Sequence, residues 1–225
     1  MLSETFYKLW DAGILQRGVW ETIYMTVIST AISYVIGLPL GVILNITDRE
    51  GICPIHWLNR LLGIIVNFFR SIPFIILMVA MLPVANFIVG TSLGNKAMIV
   101  MLVIAASPYI ARMVESSLKE VDKGVIEAAQ SMGADTFQII LHVLLVEARV
   151  SLVTGATICL GTILGYSAMA GTVGGGGLGS IAIQYGYYRY QADIMVVTVV
   201  LLVLLQQIFQ LVGMTIASRI DRRRS

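Results

Sequence analysis

Long uncharged stretches separated by short charged segments dominate the chain. A transmembrane helix needs about 20 mainly apolar residues to cross a hydrocarbon layer about 30 Å thick. We predict one such helix in each of the segments 23–46, 61–84, 92–111, 150–170 and 194–218. The pattern therefore predicts an all-α bundle with five membrane spans, forming a single transmembrane domain over residues 1–225.

Glycine and proline mark where these helices are interrupted. The uncharged stretch from Val150 to Tyr188 is too long for one span, and the glycine cluster from Gly171 to Gly179 ends the fourth helix. Prolines lie inside or beside three spans, and each removes a backbone donor and favours a kink. These prolines are Pro39, Pro73 and Pro108.

The composition agrees with a membrane protein and excludes several other classes. Charged residues make up 12% of the chain, against about 25% in soluble domains. The net charge of +2 is too small to indicate nucleic acid binding. Cys53 and Cys159 lie far apart and have no histidine at ligand spacing, so neither a metal site nor a disulfide framework is expected. The N-terminal residues do not resemble a cleaved signal peptide, and we expect the first span to direct insertion.

The distribution of positive charge predicts the orientation. Segments 47–60, 112–149 and 219–225 lie on one side of a five-span protein and carry ten Lys and Arg residues, against four on the other side. Because cytoplasmic loops are enriched in Lys and Arg, the N-terminus is expected outside and the C-terminus in the cytoplasm. The ten residues are Arg49, Arg60, Arg112, Lys119, Lys123, Arg149, Arg219, Arg222, Arg223 and Arg224.

The longest predicted cytoplasmic segment, about residues 119–146, contains the pattern of two helices joined by a glycine turn. Apolar residues from Val125 to Met132 predict a short first helix, which Gly133 ends in a left-handed conformation. Asp135 and Gln138 form a capping-box pattern at the start of the second. Such a helix-turn-helix suits docking into a groove on a partner, but an amphipathic segment lying on the membrane would show the same periodicity.

This segment resembles the EAA loop of ABC importer permeases, which is Glu-Ala-Ala, three residues, glycine, nine residues and Ile-x-Leu-Pro. Here Val143 replaces the isoleucine and Val146 replaces the proline. In the family, the proline helps set the turn that leads the chain back into the membrane. The resemblance implies that the segment docks onto an ATP-hydrolysing subunit. The positions assigned to this coupling surface are Glu127, Ala128, Ala129, Gly133, Ala134, Val143 and Leu145.

Further segments resemble the methionine importer permease family: 68–77, 106–115, 165–179 and 184–190. The resemblance implies a type I ABC importer permease fold, a homodimer in a bacterial inner membrane, and an external methionine-binding protein. It also implies two ATP-binding ABC subunits, which would hold ATP and Mg, so that the chain itself is a translocation subunit rather than an enzyme. No cofactor is expected on this chain.

Four residues are candidates for the substrate pathway. Tyr166, Ser167 and Met169 follow Gly165 near the outer end of the fourth span, and we hypothesise that they line an external gate. Arg70 is the one charge well inside a predicted span. A buried arginine is costly and faces a partner or a polar cavity, so Arg70 is either a pathway residue or a side chain that reaches the interface or a carbonyl at a kink.

The sequence argues against several other functions. The glycines at 174, 176 and 179 match a dinucleotide fingerprint, but the strand that should precede it is missing. The chain contains no phosphate-binding P-loop motif. An ion-coupled secondary transporter would often carry acidic residues inside its spans, and the central stretches here have none. No catalytic constellation supports an intramembrane enzyme. A permease for another neutral or polar amino acid remains the main alternative.

Overall fold

The structure is a computed structural model that describes residues 4–221, except for the side chains of residues 5, 6 and 8. Arg222, Arg223 and Arg224, which contribute to the predicted charge asymmetry, lie outside the described residues. Within residues 4–221 all regular structure is helical. The α-helices are α1 (Glu4–Asp11), α2 (Ile14–Ile46), α3 (His56–Ser71), α4 (Phe74–Ala80), α5 (Leu82–Val89), α6 (Asn95–Lys119), α7 (Lys123–Ser131), α8 (Thr136–Gln138), α9 (Leu145–Glu147), α10 (Arg149–Ala170), α11 (Gly177–Ile181) and α12 (Ala192–Ile220). Short π-helical stretches span Ile139–Leu144 and Ala182–Tyr187, and a 3₁₀ turn spans Gly171–Val173.

Four of the described helices, α2, α6, α10 and α12, are long and apolar enough to cross a membrane. The pair α3 and α4 brings the number to five if it is counted as one span. Helix α2 starts nine residues before the predicted boundary, at Ile14. Within this extension Arg17 and Glu21 are one turn apart and form an ion pair of 2.9 Å, which adds a small stabilisation to the helix.

The interval predicted as the second span, 61–84, is not one straight helix. Helix α3 ends at Ser71, and α4 leaves at an angle of 102°. The cause is Pro73, whose ring disfavours a helical conformation in the preceding residue, Ile72. Pro73 itself has an extended backbone and caps α4. Pro39 and Pro108, in contrast, lie inside α2 and α6 without ending either helix.

Contacts between residues divide the chain into two compact units. The first unit contains the described residues up to Ile32, together with Ile72–Ala106 and Leu160–Gln210. One of its cores forms where α10, α11 and α12 meet the early part of α2, around Leu164, Leu178 and Leu205. A second core packs Leu9 of α1 against Ile181 and Ile194.

The second unit contains Ser33–Ser71, Ser107–Cys159 and the described residues from Leu211 onward. Its core joins α2, α3 and α6 through Leu44, Val66 and Ala111. Two glycines of α2 allow close packing against α6. A Cβ atom at Gly37 would lie 2.6 Å from the Cγ2 atom of Ile110, and one at Gly41 would lie 2.6 Å from the Ala111 carbonyl oxygen.

We predict that Gly41→Ala lowers the thermal stability of the detergent-solubilised protein. In a free helix, alanine is favoured over glycine by up to about 1 kcal/mol, but here the added methyl group would collide with backbone. Overpacking of this kind costs about 1–3 kcal/mol. The matched control is Gly165→Ala in α10, where a Cβ atom meets nothing within 4 Å. A melting temperature of Gly41→Ala equal to or above that of the unsubstituted protein would contradict the packing.

Candidate functional site

The predicted helix-turn-helix is present and begins with α7. The helix ends at Ser131 with Met132 as its C-cap, and Gly133 follows with a φ of +82°, in the left-handed region. The N–H of Ala134 then donates a hydrogen bond of 3.1 Å to the carbonyl of Ala129. The structure therefore confirms that Gly133 reverses the chain in the conformation that glycine adopts most easily.

The helix-turn-helix of residues 123–147 is called the hairpin below. Its second helix starts with the predicted capping box. The Asp135 carboxylate accepts a hydrogen bond of 2.7 Å from the Gln138 N–H, and the Gln138 side-chain oxygen accepts one of 3.1 Å from the Asp135 N–H. The chain remains helical from Thr136 to Glu147 and changes at Ala148, where α10 follows. Val146, at the position of the family's proline, lies within α9, so the helix break here does not need proline.

The exposed surface of the hairpin is partly apolar. Met132 and Phe137 flank the turn and are 82% and 68% exposed. Ala129 is buried and forms part of the hairpin's own packing. The other predicted coupling residues are exposed at Glu127, Ala128 and Gly133, and half-buried at Ala134, Val143 and Leu145. The turn thus presents large apolar side chains that no other part of the described chain covers.

A network of ion pairs lies where α6 leads into this hairpin. Glu115 is only 7% exposed and binds two cations of its own helix, Arg112 at 2.6 Å and Lys119 at 2.9 Å. Lys119 also pairs with Asp48 at 2.9 Å, and Arg112 donates to the side-chain oxygen of Asn67 at 3.2 Å. A single buried carboxylate therefore connects α6 to α3 and to the segment after α2.

A second, surface pair attaches the start of α7 to the same segment, since Lys123 binds Glu50. The hydrogen bond from Lys119 holds the pKa of Asp48 below its ordinary value, helped by the backbone N–H of Arg49. Glu50 in turn raises the pKa of Lys123. A carboxylate with a lowered pKa stabilises the fold until the pH falls below the ordinary carboxyl pKa. A lysine with a raised pKa stabilises the fold until the pH rises above the ordinary lysine pKa. Both contacts therefore persist throughout the neutral range.

The predicted gate residues have three different environments. The Tyr166 ring stacks on Phe74 of α4, with ring centroids 4.1 Å apart and planes within 4° of parallel. Ser167 is buried, and its hydroxyl donates to the Leu164 carbonyl at 2.8 Å. Met169 is 49% exposed. Of the three, Met169 presents the most surface in this conformation.

Arg70 lies in the last turn of α3, because this helix runs from His56 to Ser71. The free carbonyls at a helix C-terminus carry partial negative charge and favour a nearby cation. The side chain is exposed in the described chain. Arg70 therefore occupies a helix end beside a sharp bend, rather than the middle of a continuous span.

The glycine segment that follows the fourth span is held by side chains of α2. The Glu21 carboxylate accepts a hydrogen bond of 2.9 Å from the N–H of Gly177, and the Thr22 hydroxyl accepts one of 2.9 Å from the N–H of Leu178. Gly177 has a φ of +81°, and Thr22 leaves no room for a side chain there. The roles of Glu21 and Thr22 are not predictable from the sequence, since nothing in the pattern connects α2 with residues about 156 positions later.

The profile of the family described as "Binding-protein-dependent transport system inner membrane component" matches residues 37–225. The chain belongs to this family. The match includes the hairpin, the bent pair α3 and α4, and the last two long helices, so the features described above are those of a transport permease. Among the described residues, no three His, Cys, Asp or Glu side chains are close enough to hold a metal ion.

Individual relatives of the permease are similar over most of its length. It is 51% identical over 213 residues to the probable D-methionine transport system permease protein MetI of Vibrio cholerae serotype O1, covering 95% of each chain. It is 53% identical over 158 residues to the D-methionine transport system permease protein MetI of Escherichia coli K12, covering 70% and 73%. An inward-facing crystal structure of the MetNI methionine ABC transporter superposes with a TM-score of 0.94 at 50% identity, covering 98% and 100%. The permease therefore has the type I ABC importer fold predicted from its sequence.

Glu115, at the centre of the charge network of the permease, is not among the residues predicted from the sequence. The signal was visible as an acidic residue with Arg112 three positions before it and Lys119 four positions after it. This spacing places all three on one helix face. What the sequence could not indicate is the burial of Glu115, which depends on the packing of α6 among its neighbours.

We predict that Glu115→Ala destabilises the permease by about 2 kcal/mol, the loss expected when charged groups lose a hydrogen-bonded partner. Arg112 would keep its contacts to Asn67 and to the Gly63 carbonyl, and Lys119 would keep its contact to Asp48, which limits the effect. Thermal unfolding of the solubilised protein measures it. Glu120→Ala serves as the control, because Glu120 is exposed and lies just after the end of α6. Equal melting temperatures for the two variants would show that the network is not stabilising.

Proposed function

We propose that this permease is the membrane-spanning subunit of an ATP-driven importer that carries methionine into the cytoplasm. The observation that carries the proposal is the hairpin between α6 and α10. It combines the Glu-Ala-Ala-x3-Gly sequence with an exposed apolar turn at Met132 and Phe137. Apolar side chains of this size on a charged segment mark a surface for a protein partner.

The choice of methionine is supported by the relatives, which are described as permeases for D-methionine and as part of a methionine transporter. Fixed charges are almost absent from the long helices between their ends. A pathway of this character suits a neutral or zwitterionic solute, because a charged one would lack a counter-ion. Another neutral amino acid is the main competing substrate.

We propose that two copies of the chain assemble with two ATP-hydrolysing subunits, which bind ATP and Mg, and that an extracytoplasmic protein delivers the substrate. The N-terminus would lie outside and the C-terminus in the cytoplasm, since ten Lys and Arg residues occupy the segments assigned to the cytoplasmic side. The hairpin then faces the cytoplasm, where ATP is available.

In this arrangement the hairpin transmits the motion that ATP binding produces. Its turn docks into a groove of the ATPase subunit, with Met132 and Phe137 as apolar contacts and Glu127 offering a carboxylate to a basic group. Movement of the hairpin reaches the membrane through two routes. One is the helical connection from Thr136 into α10, and the other is the Glu115 network at the end of α6.

The stretch Tyr166, Ser167 and Met169 would form the external gate. The stacked rings of Tyr166 and Phe74 tie α10 to α4, so an opening movement in this region must separate or carry both rings. Arg70, beside the bend that starts α4, is the candidate charge along the pathway.

We predict that Gly133→Val leaves the permease inserted but prevents it from holding the ATPase and from transporting. A side chain with φ at +82° is strained by about 1–2 kcal/mol, and the branched group also stands on the docking surface. Gly133→Asn separates the two effects, because asparagine tolerates this conformation. We expect Asn to reduce transport less than Val. Pull-down of the ATPase and uptake of substrate are measured on the same samples.

The matched control for this test is Gly90→Val. Gly90 also has a left-handed φ, +74°, and also has nothing within 4 Å of an added Cβ atom, but it ends α5 and belongs to the first unit, whereas the hairpin belongs to the second. It should show similar backbone strain with normal ATPase binding. Normal binding and uptake by Gly133→Val, or equal loss in both variants, would exclude the hairpin as the coupling element.

We predict that vesicles containing the complete complex accumulate labelled D- and L-methionine in the presence of ATP and the binding protein. Labelled leucine and glutamate should accumulate about tenfold less, which corresponds to about 1.4 kcal/mol of discrimination. Omission of ATP is the control for leakage. Preferred uptake of another amino acid would leave the transport role intact and replace the substrate.

A further inference from the structure

The four consecutive glycines from Gly174 to Gly177, which follow the proposed gate segment, have no side chains with which to anchor themselves. Glycine also loses more conformational freedom on folding than any other residue. Two of the four, Gly174 and Gly177, are in the left-handed region, with φ at +85° and +81°. The position of this segment therefore depends on the hydrogen bonds that its backbone makes to other parts of the chain.

Glu21 and Thr22 of α2 make such bonds at the start of α11. The first N–H groups of a helix have no acceptor within the helix, and the residue before α11 is Gly176, which has no side chain to cap it. The Gly177 N–H donates instead to Glu21 Oε2 at 2.9 Å. The Leu178 N–H donates to Thr22 Oγ1, also at 2.9 Å. The cap of α11 is therefore supplied by another helix.

Each of the two acceptors is oriented by a second contact within α2. Thr22 is 1% exposed, and its hydroxyl donates to the Gly18 carbonyl at 2.9 Å, so its oxygen is aligned to accept from α11. The Oε1 atom of Glu21 accepts from Arg17 Nε at 2.9 Å. The carboxylate of Glu21 thus uses one oxygen for an exposed arginine and the other for the glycine segment.

Helix α11 is in direct backbone contact with the gate segment at the end of α10. A Cβ atom added to Gly179 would lie 2.1 Å from the Ala168 carbonyl oxygen. Ala168 stands between Ser167 and Met169, two of the proposed gate residues. Because no side chain separates the two backbones, a shift of α11 must displace the end of α10.

We propose that Glu21 and Thr22 are positioning residues of the external gate, which hold the start of α11 and thereby keep the end of α10 in its closed position. The conformation described here is the closed one, since Ser167 is buried and the Tyr166 ring is stacked on Phe74. Both positioning residues act through α11 and not by contact with substrate. The inference rests on the gate proposed above and adds the residues that keep it closed.

The test uses the complete complex in right-side-out membrane vesicles, with Cys53 and Cys159 replaced by Ser and Ala and Met169→Cys as the reporter. A membrane-impermeant thiol reagent is added outside, with and without the binding protein and a non-hydrolysable ATP analogue. Labelling of this reference should be low without nucleotide and rise when nucleotide is bound. Glu21→Ala should raise the nucleotide-free labelling about tenfold, because a buried N–H that loses its acceptor disfavours the closed state by an amount of this order.

Matched variants separate positioning from a general loss of stability. Glu21→Gln and Thr22→Ser keep an oxygen that can accept the hydrogen bond, and both should label like the reference. Thr22→Val has nearly the shape of threonine but lacks the oxygen, and it should label like Glu21→Ala. Arg17→Ala removes the exposed ion pair and leaves the bond to Gly177, so it should also label like the reference. An equal effect of Arg17→Ala and Glu21→Ala would overturn the proposal, because the ion pair would then be the cause.

The outcomes also separate this inference from the proposed function. Labelling of the reference that is the same in all nucleotide states would overturn the gate, and this inference with it. Nucleotide-dependent labelling of the reference that Glu21→Ala and Thr22→Val leave unaltered would overturn this inference alone. Labelling is measured on complexes that retain their ATPase subunits. If neither variant assembles, the contact serves folding and the positioning role is wrong.

Discussion

Hydrogen bonding in a solvent without water is the constraint on which the rest of this structure depends. A backbone amide in hydrocarbon has no partner except another protein group, which is why the described chain is helical throughout its long apolar stretches. Several hydroxyl side chains follow the same rule, although the buried hydroxyls of Ser29 and Ser33 have no partner among the described residues. Thr22, Thr30 and Thr198 each donate to the carbonyl one turn earlier on their own helix. Where a helix is interrupted, a side chain must take over, as Glu21 and Thr22 do for the glycine segment.

The hairpin between α6 and α10 differs from the long helices, because its hydrogen bonds are local and its surface is exposed. Its backbone is satisfied by local devices, the left-handed Gly133 and the Asp135 capping box, so it holds its shape without a large core. Its surface is therefore available, and Met132 and Phe137 project from it. The Lys123–Glu50 pair connects its start to the segment after α2, and the Glu115 network connects α6 to α3 and to the same segment. A small, rigid hairpin beside these ion pairs is well suited to transmit a displacement from a partner protein to several helices.

Local chemistry made these features predictable, and distance in sequence set the limit. Gly133, Asp135 and Gln138 act within a few residues of one another, and their pattern predicted both the turn and the cap that the structure contains. Pro73 indicated a bend but not its angle of 102°, because the angle depends on the residues against which the next helix packs. Glu21 and Glu115 depend on contacts or burial that only the folded chain creates. The roles of the coupling and gate residues remain predictions.

Val146 has a consequence for how such proteins are found. The family pattern places proline there, yet in this chain α9 continues through Val146. The helix is interrupted only at Ala148. The residues that form the hairpin are its glycine and its capping pair, upstream of that position. A search pattern that insists on the final proline would discard this chain while its turn is intact, whereas one built on the glycine, the acidic cap and their spacing would retain it. Divergent members of the family are then better identified by the residues that determine the turn geometry than by the full consensus sequence.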